Sequence, residues 1–159
     1  MPIALGAYTG IREGDALKLH WSAAKGGVIT WRQSKTGDMV TVPIHRDLAA
    51  IIEAAKRKHV TMVVGQKGNP YTESGFRAVF FRFIAKLVKE KKVGEGLTFD
   101  GLRHTVGTMP AEAGADEFTI MSMLGHKSPD MARIYARDAS RTRRAQVAIE
   151  ILERGTETD

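Results

Sequence analysis

The sequence predicts a mostly α domain of the α+β kind, with a small antiparallel β-sheet near its N-terminus. Three observations lead there. Two β-prone runs flank the turn Lys35-Thr36-Gly37-Asp38. A long apolar stripe of helical period starts at Phe76. The last third is divided into helix-length pieces by Gly114 and Gly125.

Taken in order, Ile3, Ala4, Leu5 and Ala7 read as the end of a buried helix, which suggests a fragment of a longer protein. Thr9-Gly10 then breaks the chain, and Arg12 to His20 reads as a short helix with Ala16 and Leu17 inward. After a loop through Gly26-Gly27, Val28 to Ser34 alternates Ile29 and Trp31 against Thr30 and Arg32, the period of a strand. Met39 to Val42, closed by Pro43, returns it as a hairpin. Asp47 is expected to cap a helix whose inner face is Leu48, Ile51, Ile52 and Ala55, and Thr61 to Val64 to add a third short strand. From about Thr72 to Lys91, Phe76, Val79, Phe80, Phe83, Ile84, Leu87 and Val88 recur at helical spacing. The opposite face, with Arg77, Arg82, Lys86, Lys89 and Lys92, reads as solvated. A helix from about Gly101 to Gly114 contains Pro110, which removes a backbone hydrogen bond and should kink it. The next runs from about Asp116 to Gly125, where glycine suits a left-handed C-terminal position. Ser128-Pro129-Asp130 supplies the start of a helix carrying Tyr135, and a last helix spans about Ser140 to Glu153.

One domain over residues 1–159 is the economical reading, because no repeat, low-complexity tract or linker interrupts the chain. No apolar run approaches the roughly 18 residues that span a bilayer, and Met1 to Gly10 has no basic leader. With no cysteine there are no disulfides or thiolate metal sites, and a cytoplasmic location is expected. The surplus of 24 Lys+Arg over 18 Asp+Glu, net +6, favours a polyanionic partner, of which nucleic acid is the commonest.

Breaking a phosphodiester requires neutralised phosphoryl oxygens, an activated nucleophile and an acid for the leaving oxygen. The sequence has no acidic cluster suited to two metal ions, so no metal or cofactor is expected. Arginines, whose planar forks fit phosphate and stay charged, are left to do the neutralising.

Leu102-Arg103-His104-Thr105, Leu124-Gly125-His126 and Tyr135, nine positions beyond His126, resemble the C-terminal signature of the phage-integrase (tyrosine recombinase) family. Thr9-Gly10-Ile11-Arg12 with Asp15, and Lys35-Thr36-Gly37 with Val42-Pro43, resemble its N-terminal arginine segment and catalytic-lysine hairpin. The four motifs occur in family order over nearly the whole chain.

The resemblance implies an integrase-like fold and site-specific recombination or DNA integration, with strands cut and rejoined without metal. It implies that Arg12 and Arg103 clamp the scissile phosphate, His126 donates a hydrogen bond to a phosphoryl oxygen, Lys35 protonates the departing 5′ oxygen, and Tyr135 forms a 3′-phosphotyrosine link. A tyrosine hydroxyl is a weak nucleophile at neutral pH, and adjacent guanidiniums favour its ionised form. His104 is read either as packing or as a support behind the phosphate-binding groups, not as one of them. Where the family carries His or Lys, three residues before the second arginine, this chain has Asp100. A carboxylate about 5 Å from a phosphate is repelled by roughly 3 kcal/mol at an effective dielectric of about 20. Asp100 is therefore expected to cap the helix beginning at Gly101 and so hold Arg103 from behind.

Arg133, Arg137, Arg141 and Arg144 form a basic stripe suited to the DNA backbone. The partners implied are double-stranded DNA and further copies of the chain, a tetramer on DNA but a monomer in solution. An N-terminal helical domain that family members use to close the other half of a DNA clamp is expected to lie outside residues 1–159, and a bacterial or phage origin is implied. Three other readings stand beside this one: a non-catalytic helix-turn-helix module over Asp116 to Ala136, an inactive relic, and a type IB topoisomerase. The first leaves Arg12, the Lys35 hairpin and Leu102 to Thr105 unexplained.

Overall fold

A computed structural model describes residues 1–126, 130, 133, 135 and 141–156, with backbone alone at 141–144 and 154–156. The elements run α1 (Pro2–Thr9), α2 (Glu13–Lys18), a 3-10 turn (Trp21–Ala23), β1 (Ala24–Lys25), β2 (Val28–Arg32), β3 (Met39–Pro43), α3 (Arg46–Ala54), α4 (Glu73–Lys89), α5 (Phe99–Glu112), α6 (Glu117–Leu124) and α7 (Arg141–Thr156). The mostly helical fold with one small antiparallel sheet is the expected one. No described helix is long and apolar enough to cross a membrane.

The sheet has the order β1-β2-β3, and β2 and β3 pair from Val28↔Pro43 to Arg32↔Met39. That register puts Ile29 and Trp31 on the same buried face as Val40 and Val42, so the period-2 pattern decides which face meets the helices. The third strand is not Thr61 to Val64. That segment makes single bridges, His20↔Thr61 and Val64↔Pro70, while Ala24–Lys25 pairs with β2. Met62 and Val63 are nonetheless buried, so their apolar signal marked core rather than strand.

Most of the core gathers between the sheet and α1 to α5, with Leu5, Ile11, Leu17, Ile29, Leu48 and Phe76 among its buried members. Phe99 of α5 meets Phe76 and Phe80 of α4 edge-to-face, with centroids 5.6 and 6.1 Å apart. The rest of the α4 stripe is less buried than its periodicity suggests, because Val79 and Phe83 are both 44% exposed. Nor is the basic face wholly solvated: Arg77 pairs with Glu13 at 2.8 Å and Glu73 at 3.4 Å, tying α4 to α2. A second, smaller cluster of Val106, Ala111, Ile120, Leu124 and Tyr135 joins α5 to α6.

Two expected caps are corrected. Helix α3 is capped by His45, whose Nδ1 accepts the Asp47 N–H, and Asp47 lies inside the first turn. Helix α5 is capped by Thr98, whose hydroxyl accepts the Gly101 N–H at 3.0 Å. Asp100 is then an exposed residue of the first turn, where an acid favours the helix dipole, and it caps nothing. Pro110 stands two residues from the end of α5, so the backbone bond it removes falls in the last turn, and Ala113 N–H still closes the helix on the Met109 carbonyl at 3.0 Å.

Candidate active site

Arg103, on α5, is 7% exposed. A guanidinium this buried needs its N–H groups satisfied. Nη1 donates to the Gly10 carbonyl at 2.6 Å, and Nη2 donates to the Leu124 carbonyl at 2.7 Å and to His126 Nε2 at 3.1 Å. No carboxylate is ion-paired with it among the described residues. Burial, with the Arg12 charge added, lowers its pKa from the usual guanidinium value.

Arg12 precedes α2, where it is half-buried, and its Nη1 donates to Gln33 Oε1 at 2.8 Å. Gln33 is 1% exposed. Its Oε1 also accepts from the Thr36 hydroxyl at 3.2 Å, and its Nε2 donates to the Leu124 carbonyl at 2.8 Å. The Leu124 oxygen thus accepts from Gln33 and Arg103 together. Asp15, also buried, accepts the Ser34 N–H on Oδ1 at 3.1 Å and anchors the hairpin turn from the α2 side.

Helix α6 ends at Gly125 in the left-handed region, φ 62° and ψ 48°. A Cβ there would run into Val40 and would lie 2.7 Å from Gln33 Nε2, so glycine lets the hairpin seat against the end of α6. The turn delivers His126. A guanidinium can only donate, so His126 Nε2 is the acceptor of the Arg103 bond and the ring proton resides on Nδ1. That Nδ1 is buried and has no partner among the described residues. Burial, then the charges of Arg103 and Arg12, push the His126 pKa down to about 4, so the imidazole is neutral at pH 7.

Tyr135 is 9% exposed. Its ring lies nearly parallel to His126, with centroids 5.8 Å apart and planes 12° apart, and edge-on to His104 at 5.2 Å. His104 therefore packs against the tyrosine ring. The ring also covers Gly107, where a Cβ would stand 2.5 to 2.7 Å from three ring carbons.

The structure thus brings together Arg12, Arg103, His126 and Tyr135. Lys35 remains exposed on the hairpin turn, in no hydrogen bond or ion pair among the described residues. Arg133 is exposed, and its guanidinium meets Glu117 at 3.3 Å and Asp130 at 3.0 Å. Arg137 lies outside the described residues. Arg141 and Arg144 lie on α7 with side chains that are not described. Sequence reasoning missed Gln33. A signal was present: Gln33 continues the inward positions Ile29 and Trp31, and a polar side chain on a buried face must have partners.

The family model for the phage integrase family matches residues 2–141. Tyrosine recombinase XerC of Listeria monocytogenes serotype 4b (strain F2365) is 31% identical over 87 residues, which cover 55% of this chain and 28% of that protein. The integrase of Escherichia phage lambda is 29% identical over 150 residues, covering 89% of this chain and 42% of that protein. The chain therefore spans less than half the length of either relative. A crystal structure of a lambda integrase dimer bound to a core site superposes with a TM-score of 0.67 at 25% identity, covering 88% of this chain and 52% of that one. With the family model spanning residues 2–141, most of its length, the chain belongs to the phage integrase family.

Proposed function

We propose that the chain is the DNA-cleaving and DNA-rejoining domain of a site-specific recombinase. The observation that carries this reading is the convergence of Arg103, His126 and Tyr135 in one largely buried cluster, with Arg12 joined to it through Gln33. In the proposed reaction Tyr135 Oη attacks the scissile phosphorus, the P–O5′ bond breaks, and a 3′-phosphotyrosine forms. The 5′ oxygen leaves as a hydroxyl, taking its proton from the exposed ammonium of Lys35 on the hairpin turn. Attack by a 5′ hydroxyl on the phosphotyrosine reverses the sequence, so the bond energy is conserved and no nucleotide triphosphate is consumed.

Arg12 and Arg103 neutralise the phosphoryl oxygens, which is where charge builds. His126 takes part through a rearrangement. Its Nε2 accepts from Arg103 in the unbound site, so donation from Nε2 to a phosphoryl oxygen requires Arg103 to turn towards the phosphate and the ring proton to change nitrogen. Asp100 is assigned no proton-transfer role; it is exposed and stands at a helix start.

Double-stranded DNA is the proposed substrate, and Arg133, Arg137, Arg141 and Arg144 are proposed backbone contacts. The ion pairs of Arg133 are solvent-exposed and of the kind worth at most about 1 kcal/mol, so a phosphate can replace them. We place the protein in the cytoplasm, as a tetramer on DNA and a monomer free, with a further DNA-gripping domain supplied elsewhere in the full protein. The test is covalent capture. The chain is incubated with nicked duplexes of randomised sequence, in magnesium and in chelator, and denaturant-resistant adducts are sequenced. Adducts enriched for one sequence, equal in both buffers, support the reading; none in either buffer overturns it.

A further inference from the structure

We propose that Gln33 is a positioning residue that sets the spacing of the two phosphate-binding guanidiniums without cancelling the charge of either. The proposal rests on the recombinase reading of the site.

Four residues form one chain of hydrogen bonds: Arg12 Nη1 to Gln33 Oε1 at 2.8 Å, Gln33 Nε2 to the Leu124 carbonyl at 2.8 Å, and Arg103 Nη2 to that same carbonyl at 2.7 Å. The amide has only one orientation that satisfies both ends. Arg12 can only donate and the carbonyl can only accept, so Oε1 must face the first and Nε2 the second. With Gln33 1% exposed, water does not compete for either bond. The second Oε1 contact, from the Thr36 hydroxyl, fixes the turn that carries Lys35 to the same atom. One buried amide therefore registers the Arg12 segment, the lysine hairpin and the end of α6 before His126.

The chemistry explains why this residue is an amide. Two guanidiniums directed at one phosphate repel one another before it arrives, and each lacks a paired carboxylate among the described residues. A glutamate at this position would hold Arg12 more strongly, but would neutralise it and would oppose a carboxylate oxygen to the Leu124 carbonyl. An apolar residue would leave both charges intact and the spacing undefined. A neutral side chain with an acceptor at one end and a donor at the other meets both demands.

The experiment uses the nicked duplex that the parent chain captures from the randomised pool. Gln33→Leu and Gln33→Glu are compared with the parent by single-turnover adduct formation and by thermal melting. Each substrate is made with an ordinary scissile phosphate and with a methylphosphonate, which lacks the charge that Arg12 has to neutralise. A displacement of about 1 Å is worth roughly 100-fold in rate, so both variants are expected to slow by about that factor on phosphate. On methylphosphonate the deficit should shrink to less than about 5-fold, while both variants melt cooperatively. Parental rates in both variants overturn the assignment and leave the recombinase reading standing. A deficit of equal size on both substrates, or loss of cooperative melting in both variants, makes Gln33 a scaffold residue and also overturns it. No adduct with the parent itself removes the recombinase reading and this proposal with it.

Discussion

Replacing Gly107 by alanine should separate the stability of the protein from the placement of its proposed nucleophile. Gly107 lies inside α5, where alanine is the better helix former by about 0.5 to 1 kcal/mol. Its added methyl would, however, stand 2.5 to 2.7 Å from Cδ1, Cε1 and Cγ of Tyr135. Carbon atoms in ordinary contact are about 3.5 to 4.0 Å apart, so the ring must withdraw by roughly 1 Å. Overpacking of this kind costs about 1 to 3 kcal/mol, which the helix gain partly offsets, leaving a net loss of about 0 to 2.5 kcal/mol. The same 1 Å at a reacting atom is worth about 100-fold in rate. Gly107→Ala is therefore expected to melt close to the parent and to form adduct about 100-fold more slowly in a single-turnover assay. Adduct formation at the parental rate would show that Tyr135 reacts from a position other than the one packed against α5, and would refute the reasoning.

Three further outcomes follow from the geometry. Folded His126 takes up a proton only near pH 4, whereas an unfolded histidine does so near about pH 6.5, so the unfolded chain binds more protons between them and stability falls as pH falls through that window. Thermal melts from pH 7 to 4 should show that decline, and His126→Gln should flatten it; an unchanged slope in the variant would contradict the neutral, buried imidazole. Thr98→Ala should lose about 1 kcal/mol with the cap, whereas Asp100→Asn gives up only the first-turn charge, so it should lose less than about 1 kcal/mol and cleave at least as fast; abolished cleavage in a folded Asp100→Asn would make Asp100 a proton-handling group. If Arg133 meets a phosphate, Arg133→Ala lowers the log–log salt slope of DNA binding by about one unit, and an unchanged slope removes it from the interface.

What the sequence made legible was whatever local spacing determines. The alternation of Ile29 and Trp31 against Val40 and Val42 is enough to define a hairpin, and Gly125 marks a helix end that the backbone takes in the left-handed region. The errors have a common cause. In the sequence Asp47 and Asp100 resemble caps because acids suit both the cap and the first turn, and which position they take depends on where the chain enters the helix; His45 and Thr98 enter first. Val79 and Phe83 follow helical period as well as Phe76 and Phe80 do, but period says which face they share and not whether another element covers it. At the site, the motif residues could be named singly. Gln33 could not be given a role, because its partner at Leu124 is 91 residues away and the meaning of that contact depends on the whole fold.

If Tyr135 is the nucleophile of a DNA strand exchange, the mass of the covalent product reports it most directly. The parent chain and Tyr135→Phe are incubated with the captured nicked duplex, digested, and the DNA-linked peptide is sequenced by mass spectrometry. The account predicts a single adduct, joined through a 3′ phosphate to the peptide containing Tyr135, and none with Tyr135→Phe while duplex binding is unchanged. An adduct that persists in Tyr135→Phe, or one linked to Tyr8 or Tyr71, would contradict it.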